Sequence, residues 1–348
     1  MLNILSDRQT DRQSNYTLSA EIKKLLKKIP GLLNLVRRIR KPIRFYQNLH
    51  YAHKHTFYNP ESKIKFEKIP YIIHRDTDGV GLFSYLFTIL GGIAFADKNN
   101  FAPVVDMKSY KNAYLYDDEV GHINAWEYYF EQPENISLED ALSSQKYIVG
   151  PDSVMHDWPS FNTSDFYYNR DGVLDYWRKY CRKYIKFKPE VLEKLKTLQE
   201  KTKGKKILGV SVRGTDVVAK KPHAHPIPPT PEQAIEKVQE VLSEKNFDAV
   251  YLATEDKNIL KKFQDAFGEK LITFEQDYLD YDPNEWVTAQ FTDRKNDRYL
   301  RGLEYLVSKL MLAKCQGFIA SISSGSMGAM CLSEGFEYLY IFDLGVYD

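Results

Sequence analysis

Residues 209–218 read GVSVRGTDVV, and an apolar run from Ile207 to Val212 ends there on Arg213, Gly214 and Asp216. A short run of this kind, bounded by turn residues, reads as a strand buried on both faces, as in a parallel sheet. A buried strand that ends in a cation and an acid places charge at one edge of a sheet. In open α/β sheets that edge is where ligands bind.

The pattern outward from this strand is regular. A proline-rich loop, KKPHAHPIPPTP, leads to a helix over 231–244 that opens on Thr230-Pro231, a good cap and first-turn pair. Strand AVYLAT, a helix over 256–266, strand LITF, a polar loop over 275–298, a helix over 300–315, strand GFIAS and the turn ISSGSMGAM follow in order. Strands alternating with helices predict a doubly wound parallel sheet over 205–348. Upstream, YIIHRDTDGVGLFSYLFTILGGIAFADKNNFAPVVDM (71–107) reads as a β-α-β unit with Gly79 and Gly81 before its helix. These glycines permit a tight turn and close backbone approach to a ligand. They form neither a dinucleotide fingerprint nor a Walker loop, which disfavours a NAD-dependent oxidoreductase. The tyrosine-rich stretch 108–135 either packs on itself or lines a groove, and 173–202 carries two amphipathic helical runs. A boundary near Gly204 gives an N-terminal α/β domain over 51–204.

With 348 residues, two domains are expected, and a net charge of +1 argues against a nucleic-acid partner. Cys181, Cys315 and Cys331 have neither metal-ligand nor disulfide spacing, which implies a reducing, cytoplasmic setting. Residues 1–18 are polar, lack the apolar core of a signal peptide and read as flexible. Residues 19–50 form a basic amphipathic segment, broken at Pro30-Gly31. Two readings stand for its 19–47 stretch: a helical pair packed on the main domain, or a peripheral anchor on the anionic inner face of a membrane.

Four loops follow strands in the second half. Arg213 can fork onto a phosphate. Ser321, Ser323, Ser324, Gly325 and Ser326 lie between a strand and a helix, where hydroxyls, backbone N–H groups and the helix dipole suit a phosphate. Glu255 and Asp256 can accept from a ribose or a base. An arginine with a serine-glycine helix start and no Walker lysine suits a nucleoside diphosphate as leaving group. The alternative is an Arg213–Asp216 ion pair and serines that only cap a helix. No metal is expected, because no D-x-D motif closes a strand; Asp76 and Asp78 of RDTDG read as turn residues.

GVSVRGTDVV, the HPI at 225–227, VYLATEDKNILKKF and RYLRGLEYLVSKLMLAKCQGFIASISSGS, together with the 79–107 stretch, resemble the superfamily of α1,6-, α1,2- and protein O-fucosyltransferases over about residues 70–345. The resemblance is nearest to the α1,6- and bacterial nodulation branches. It implies a GT-B-like fold: two Rossmann-like domains face a cleft, and the C-terminal one binds the sugar nucleotide. It also implies GDP-fucose as donor, inversion at the anomeric carbon, no cofactor and no obligatory metal. By the same resemblance Arg213 contacts the donor diphosphate, Asp216 closes its motif, and Ser323 and Ser324 approach the β-phosphate. Glu304 or Ser308 stands where relatives read guanine with an Asp. Ser211 replaces a common His, Gly214 replaces a second Arg, and the loop between Asp216 and His225 lacks a carboxylate.

These readings combine into an inverting glycosyltransferase. It transfers fucose to a bacterial oligosaccharide or lipid-linked glycan, with Asp216, His223 and Glu127 as candidate bases. The rivals are the same fold with another nucleotide sugar, and a non-catalytic glycan- or nucleotide-binding protein.

Overall fold

In the computed structural model the strand that opened the sequence reading is central. It is β5 (Ile207–Ser211), buried along its whole length. With β6 (Ala249–Ala253), β7 (Leu271–Thr273), β8 (Gly317–Ser321) and β9 (Tyr338–Phe342) it forms a sheet of order β7-β6-β5-β8-β9. All four pairings are parallel, with Ile207 opposite Ala249 and Leu208 opposite Gly317. The chain runs from β5 outward to β7, then returns to the other side of β5 for β8 and β9. The order therefore reverses between β5 and β8. The structure describes residues 45–152, 164–213, 215–223, 225–280, 282, 285, 286 and 289–348. The readings for 1–18 and for 19–44 of the basic segment lie outside the described residues.

Alternation along these strands gives each sheet face its own helices. Leu208, Val210, Val250, Leu252 and Ile319 pack on one face with Val238 of α6 (Pro231–Glu244) and Phe263 of α7 (Lys257–Phe267). Gly209 and Tyr251 face the other side. There a Cβ on Gly209 would lie 3.0 Å from Leu312, and the Tyr251 hydroxyl donates to the Ser308 carbonyl of α8 (Asp297–Leu312). Each large apolar side chain so buried contributes about 1.5–3 kcal/mol. The expected doubly wound sheet is present. Edge strand β9 was not anticipated: YLYIF is only half-buried, although Ser333-Glu334-Gly335, with Gly335 at φ +133°, separates it from the preceding helix.

The first sheet in chain order, ahead of this second one, has the order β1-β4-β2-β3, from β1 (Thr56–Tyr58), β2 (Pro70–His74), β3 (Ala102–Asp106) and β4 (Lys146–Val149). β1 pairs antiparallel with β4 and the other pairings are parallel. α1 (Leu82–Lys98) connects β2 to β3 as the sequence required, and α2 (Leu138–Ser143) precedes β4. The 108–135 stretch packs inward: Trp126, Tyr129 and Phe130 are buried, and Asn124 and Gln132 clamp β3 through Val105.

The chain divides into units 1–54 and 55–348, so both sheets belong to the second. The described part of the first is a helix over 45–54. α3 (Val173–Tyr184) and α4 (Pro189–Glu200), assigned from sequence to the 51–204 domain, pack on the helices of the second sheet. Arg178 of α3 donates to the Met330 carbonyl and to Ser333, and Tyr299 of α8 donates to Glu190 of α4. Among the described residues no helix is long and apolar enough to cross a membrane.

Candidate anion site at the sheet edge

Two loops leave the sheet at the strand-order reversal. After β5 the chain passes Arg213 into α5 (Thr215–Lys220). After β8 it turns at Ile322 into α9 (Ser324–Leu332). Arg213, His225, Ser321, Ser323 and Ser324 line one pocket there, so two motifs 110 residues apart in sequence share one surface. This reversal is where a doubly wound sheet leaves a crevice at the carboxyl ends of its strands.

The serines divide their work. Ser323 and Ser326 form a reciprocal capping box: Ser326 N–H donates to Ser323 Oγ at 3.1 Å, and Ser323 N–H donates to Ser326 Oγ at 3.0 Å. Ser326 also donates its hydroxyl to the Ser321 carbonyl at 2.6 Å and is wholly buried. It is therefore a brace, which corrects its assignment as a donor-binding residue. The Ser324 and Gly325 N–H groups take no partner among the described residues; Ser324 is half-buried and lines the pocket, and Gly325 is buried behind it. Open N–H groups at the positive end of a helix suit an anion. Ser326→Ala is expected to cost about 1–2 kcal/mol of stability, because it strands the Ser323 N–H. Ser324→Ala should leave the melting temperature unchanged and weaken anion binding; thermal melts with and without pyrophosphate compare the two.

A residue absent from the sequence reading lies beneath this turn. Lys309 is buried, and its Nζ donates to Ser211 Oγ at 3.1 Å. Burial pushes its ammonium down to about 8, against the pull of Glu255 and with the push of Arg213. The sequence held one signal for it. Lys309 interrupts an apolar stretch, LVSKLML, whose residues 306–312 are all buried in the structure.

Several expected site residues hold the fold instead. Asp256 is the cap of α7, its Oδ1 accepting from the Asn258 and Ile259 N–H groups at 2.8 and 3.1 Å. Ser308 is buried and donates back to the Tyr305 carbonyl, which withdraws it from base recognition. Glu304 is held by a fork from Arg294, at 2.8 Å on each oxygen, and Arg294 also donates to the buried Asp297 at 2.6 Å. Burial works against the Arg294 charge, but Glu304 and Asp297 outweigh it and raise its pKa. Glu127 accepts from Gln132 and Asn124, the amides that clamp β3, on its Oε1, which ties one oxygen of this candidate base to that edge.

The remaining candidates fall at or near the loops. His223 is exposed and His225 lines the pocket. The Asp216 side chain lies outside the described residues. Gly79 adopts φ +72°, a left-handed turn open to glycine, with its N–H donating to Asp78; Gly81 caps α1. Asp78 is thus the turn residue expected of it. Arg75, not singled out from sequence, donates from the end of β2 to Ser84 and Thr88 of α1. Among the described residues no group of acids, cysteines or histidines could hold a metal ion.

No family model matches the chain, and no curated protein matches it. Solved structures do show similarity. A NodZ α-1,6-fucosyltransferase soaked with GDP-fucose is 16% identical over 80% of this chain and 96% of its own, with a TM-score of 0.48. Fucosyltransferase NodZ from Bradyrhizobium is 14% identical over 77% and 94%, at 0.47. An Arabidopsis thaliana FUT1 variant in complex with GDP is 11% identical over 88% and 79%, at 0.43. At such identity and superposition these likenesses carry no weight on what this chain binds or does. What the residues of the chain show by themselves is a pocket lined by Arg213, His225 and the 321–324 turn at the reversal of a doubly wound sheet.

Proposed function

We propose that the chain is an inverting glycosyltransferase whose second sheet holds the diphosphate of a nucleotide-sugar donor. The observation that carries this reading is the shared pocket of Arg213 and the Ser323–Ser324 turn at the strand-order reversal. A forked cation and two unspent N–H groups suit a diphosphate whose negative charge grows as it departs. The order VRGTD, HPI, ATED and SSGS along the chain, with its resemblance to the fucosyltransferases, favours GDP-fucose as donor.

Inversion needs a proton taken from the acceptor hydroxyl opposite the leaving phosphate. That role falls to the 216–225 loop, with His223 and Asp216 as its bases and His225 beside the phosphate. The acceptor is a glycan of bacterial type, oligosaccharide or lipid-linked. The basic 19–47 segment is read as the element that brings the chain to an anionic membrane.

The test is release of GDP from GDP-fucose, with slow hydrolysis in the absence of acceptor, run in EDTA and in manganese. Equal release in both is expected. Turnover restricted to a different nucleotide sugar would replace the donor, and GDP binding without any turnover would leave a binding protein.

A further inference from the structure

The proposed reaction makes no use of Lys309. Its side chain is 6% exposed, and its ammonium has one hydroxyl partner, Ser211, and the face of the Tyr305 ring 5.0 Å from Nζ. Among the described residues it makes no ion pair. A buried ammonium is costly unless an opposite charge meets it; the hydroxyl and the ring face carry none, and Glu255 acts on it through its field without an ion pair.

Its position explains what charge it awaits. The side chain runs directly beneath the second residue of α9, where a Cβ on Gly325 would lie 3.1 Å from Lys309 Cε. The unspent N–H groups of Ser324 and Gly325 therefore sit above a buried cation, at the positive end of a helix. Arg213 lines the same pocket and its field reaches Lys309. Three sources of positive potential, Lys309, Arg213 and the helix end, lie around this turn and Glu255 offsets them only in part. Like charges so placed raise the energy of the empty site.

We propose that Lys309 is the buried counter-charge of the bound phosphate, a positioning residue that acts from beneath the serine turn. It does not touch the ligand. Its ammonium holds the end of β5 through Ser211 and sets the potential at the N–H groups above it. This rests on the nucleotide-sugar reading only in placing a phosphate in that pocket.

The groups facing Lys309 are Ser211 from β5, Arg213 beyond it, Glu255 beyond β6 and Tyr305 on its own helix; α9 brings the backbone of Gly325 and no titratable group. Burial holds the ammonium down to about 8. A phosphate arriving above it favours the charged form and raises that value. Binding then takes up protons near pH 8, and affinity falls as pH rises from 7 to 9.

Calorimetry on the full chain reads this directly. GDP and inorganic pyrophosphate are titrated at pH 8 in buffers of different ionisation enthalpy, into the wild type and Lys309→Met. The wild type is expected to take up roughly half a proton with GDP, as a half-charged ammonium becomes fully charged. The terminal phosphate of GDP titrates near pH 6 and does not contribute there; pyrophosphate holds its last proton to higher pH, so with that ligand the uptake is read as the difference between the wild type and Lys309→Met. Lys309→Met should fold at least as stably, bind about tenfold more weakly at pH 7 and take up no proton with GDP. No uptake in the wild type, or equal uptake in a folded variant, overturns the proposal; the wild-type proton count decides it even if the variant does not fold. Uptake with pyrophosphate but no GDP binding keeps Lys309 in this role and removes the GDP-donor reading. Binding of neither ligand removes both.

Discussion

Arg213→Ala is expected to lower GDP-fucose turnover about 10²–10³-fold, the cost of removing one preorganised donor from a developing anion. The melting temperature should stay within error, because the guanidinium is exposed and surface substitutions seldom exceed about 0.5 kcal/mol. Arg213→Lys should recover little, since an ammonium cannot fork onto two phosphate oxygens. A second consequence separates this role from a generic charge effect. Arg213 pushes the Lys309 ammonium down. Without it Lys309 regains charge in the empty protein, so proton uptake on GDP binding at pH 8 should shrink. Turnover near the wild-type rate in Arg213→Ala would move the donor diphosphate to another part of the molecule.

Gly328→Ala should destabilise the chain by about 1–3 kcal/mol or more, with a fall in Tm of roughly 2–8 °C. Gly328 lies in α9, and an added Cβ would stand 2.0 Å from Cδ1 of Phe83 in the first turn of α1. Phe83 is buried and meets the Tyr305 ring edge-on, so it cannot swing into solvent. The helices must part, and the serine turn moves with α9. Anion affinity is therefore expected to fall together with stability. Phe83→Leu in the same chain should restore part of both, by shortening the side chain that the new methyl meets. A Gly328→Ala protein with unchanged Tm and pyrophosphate affinity would refute the close packing of α1 on α9.

The alternation of apolar runs with amphipathic helices determined the second sheet before any coordinates. Ile207 to Val212 was legible as a buried strand because β-branched and apolar residues stop together at a charged turn. Thr230-Pro231 was legible as a helix start because the cap and the fixed proline φ act within one turn, and the capping box is present there. Arg213 and the serine turn were legible because loops at strand ends follow from local pattern. Edge strand β9 and the packing of α3 and α4 on the second sheet were not. They depend on partners distant in the chain, which local propensity does not encode.

The site was decided at the tertiary level. Which carboxylate is spent on structure depends on what folding brings near it: Asp256 meets the N–H groups of its own helix, but Glu304 meets Arg294 and Glu127 meets Gln132. Ser326 and Ser324 are alike in sequence, and only the turn of α9 points one hydroxyl into the core and leaves the other at the pocket. Lys309 is the clearest case. In sequence it is the single lysine of α8, set in an apolar stretch. Burial all round the last turns of α8 places its charge under the phosphate turn, because the sheet, α9 and Tyr305 close over it from three sides. Sequence fixes the charge a residue can carry; the cost of that charge, and so its use, is set by the packing around it.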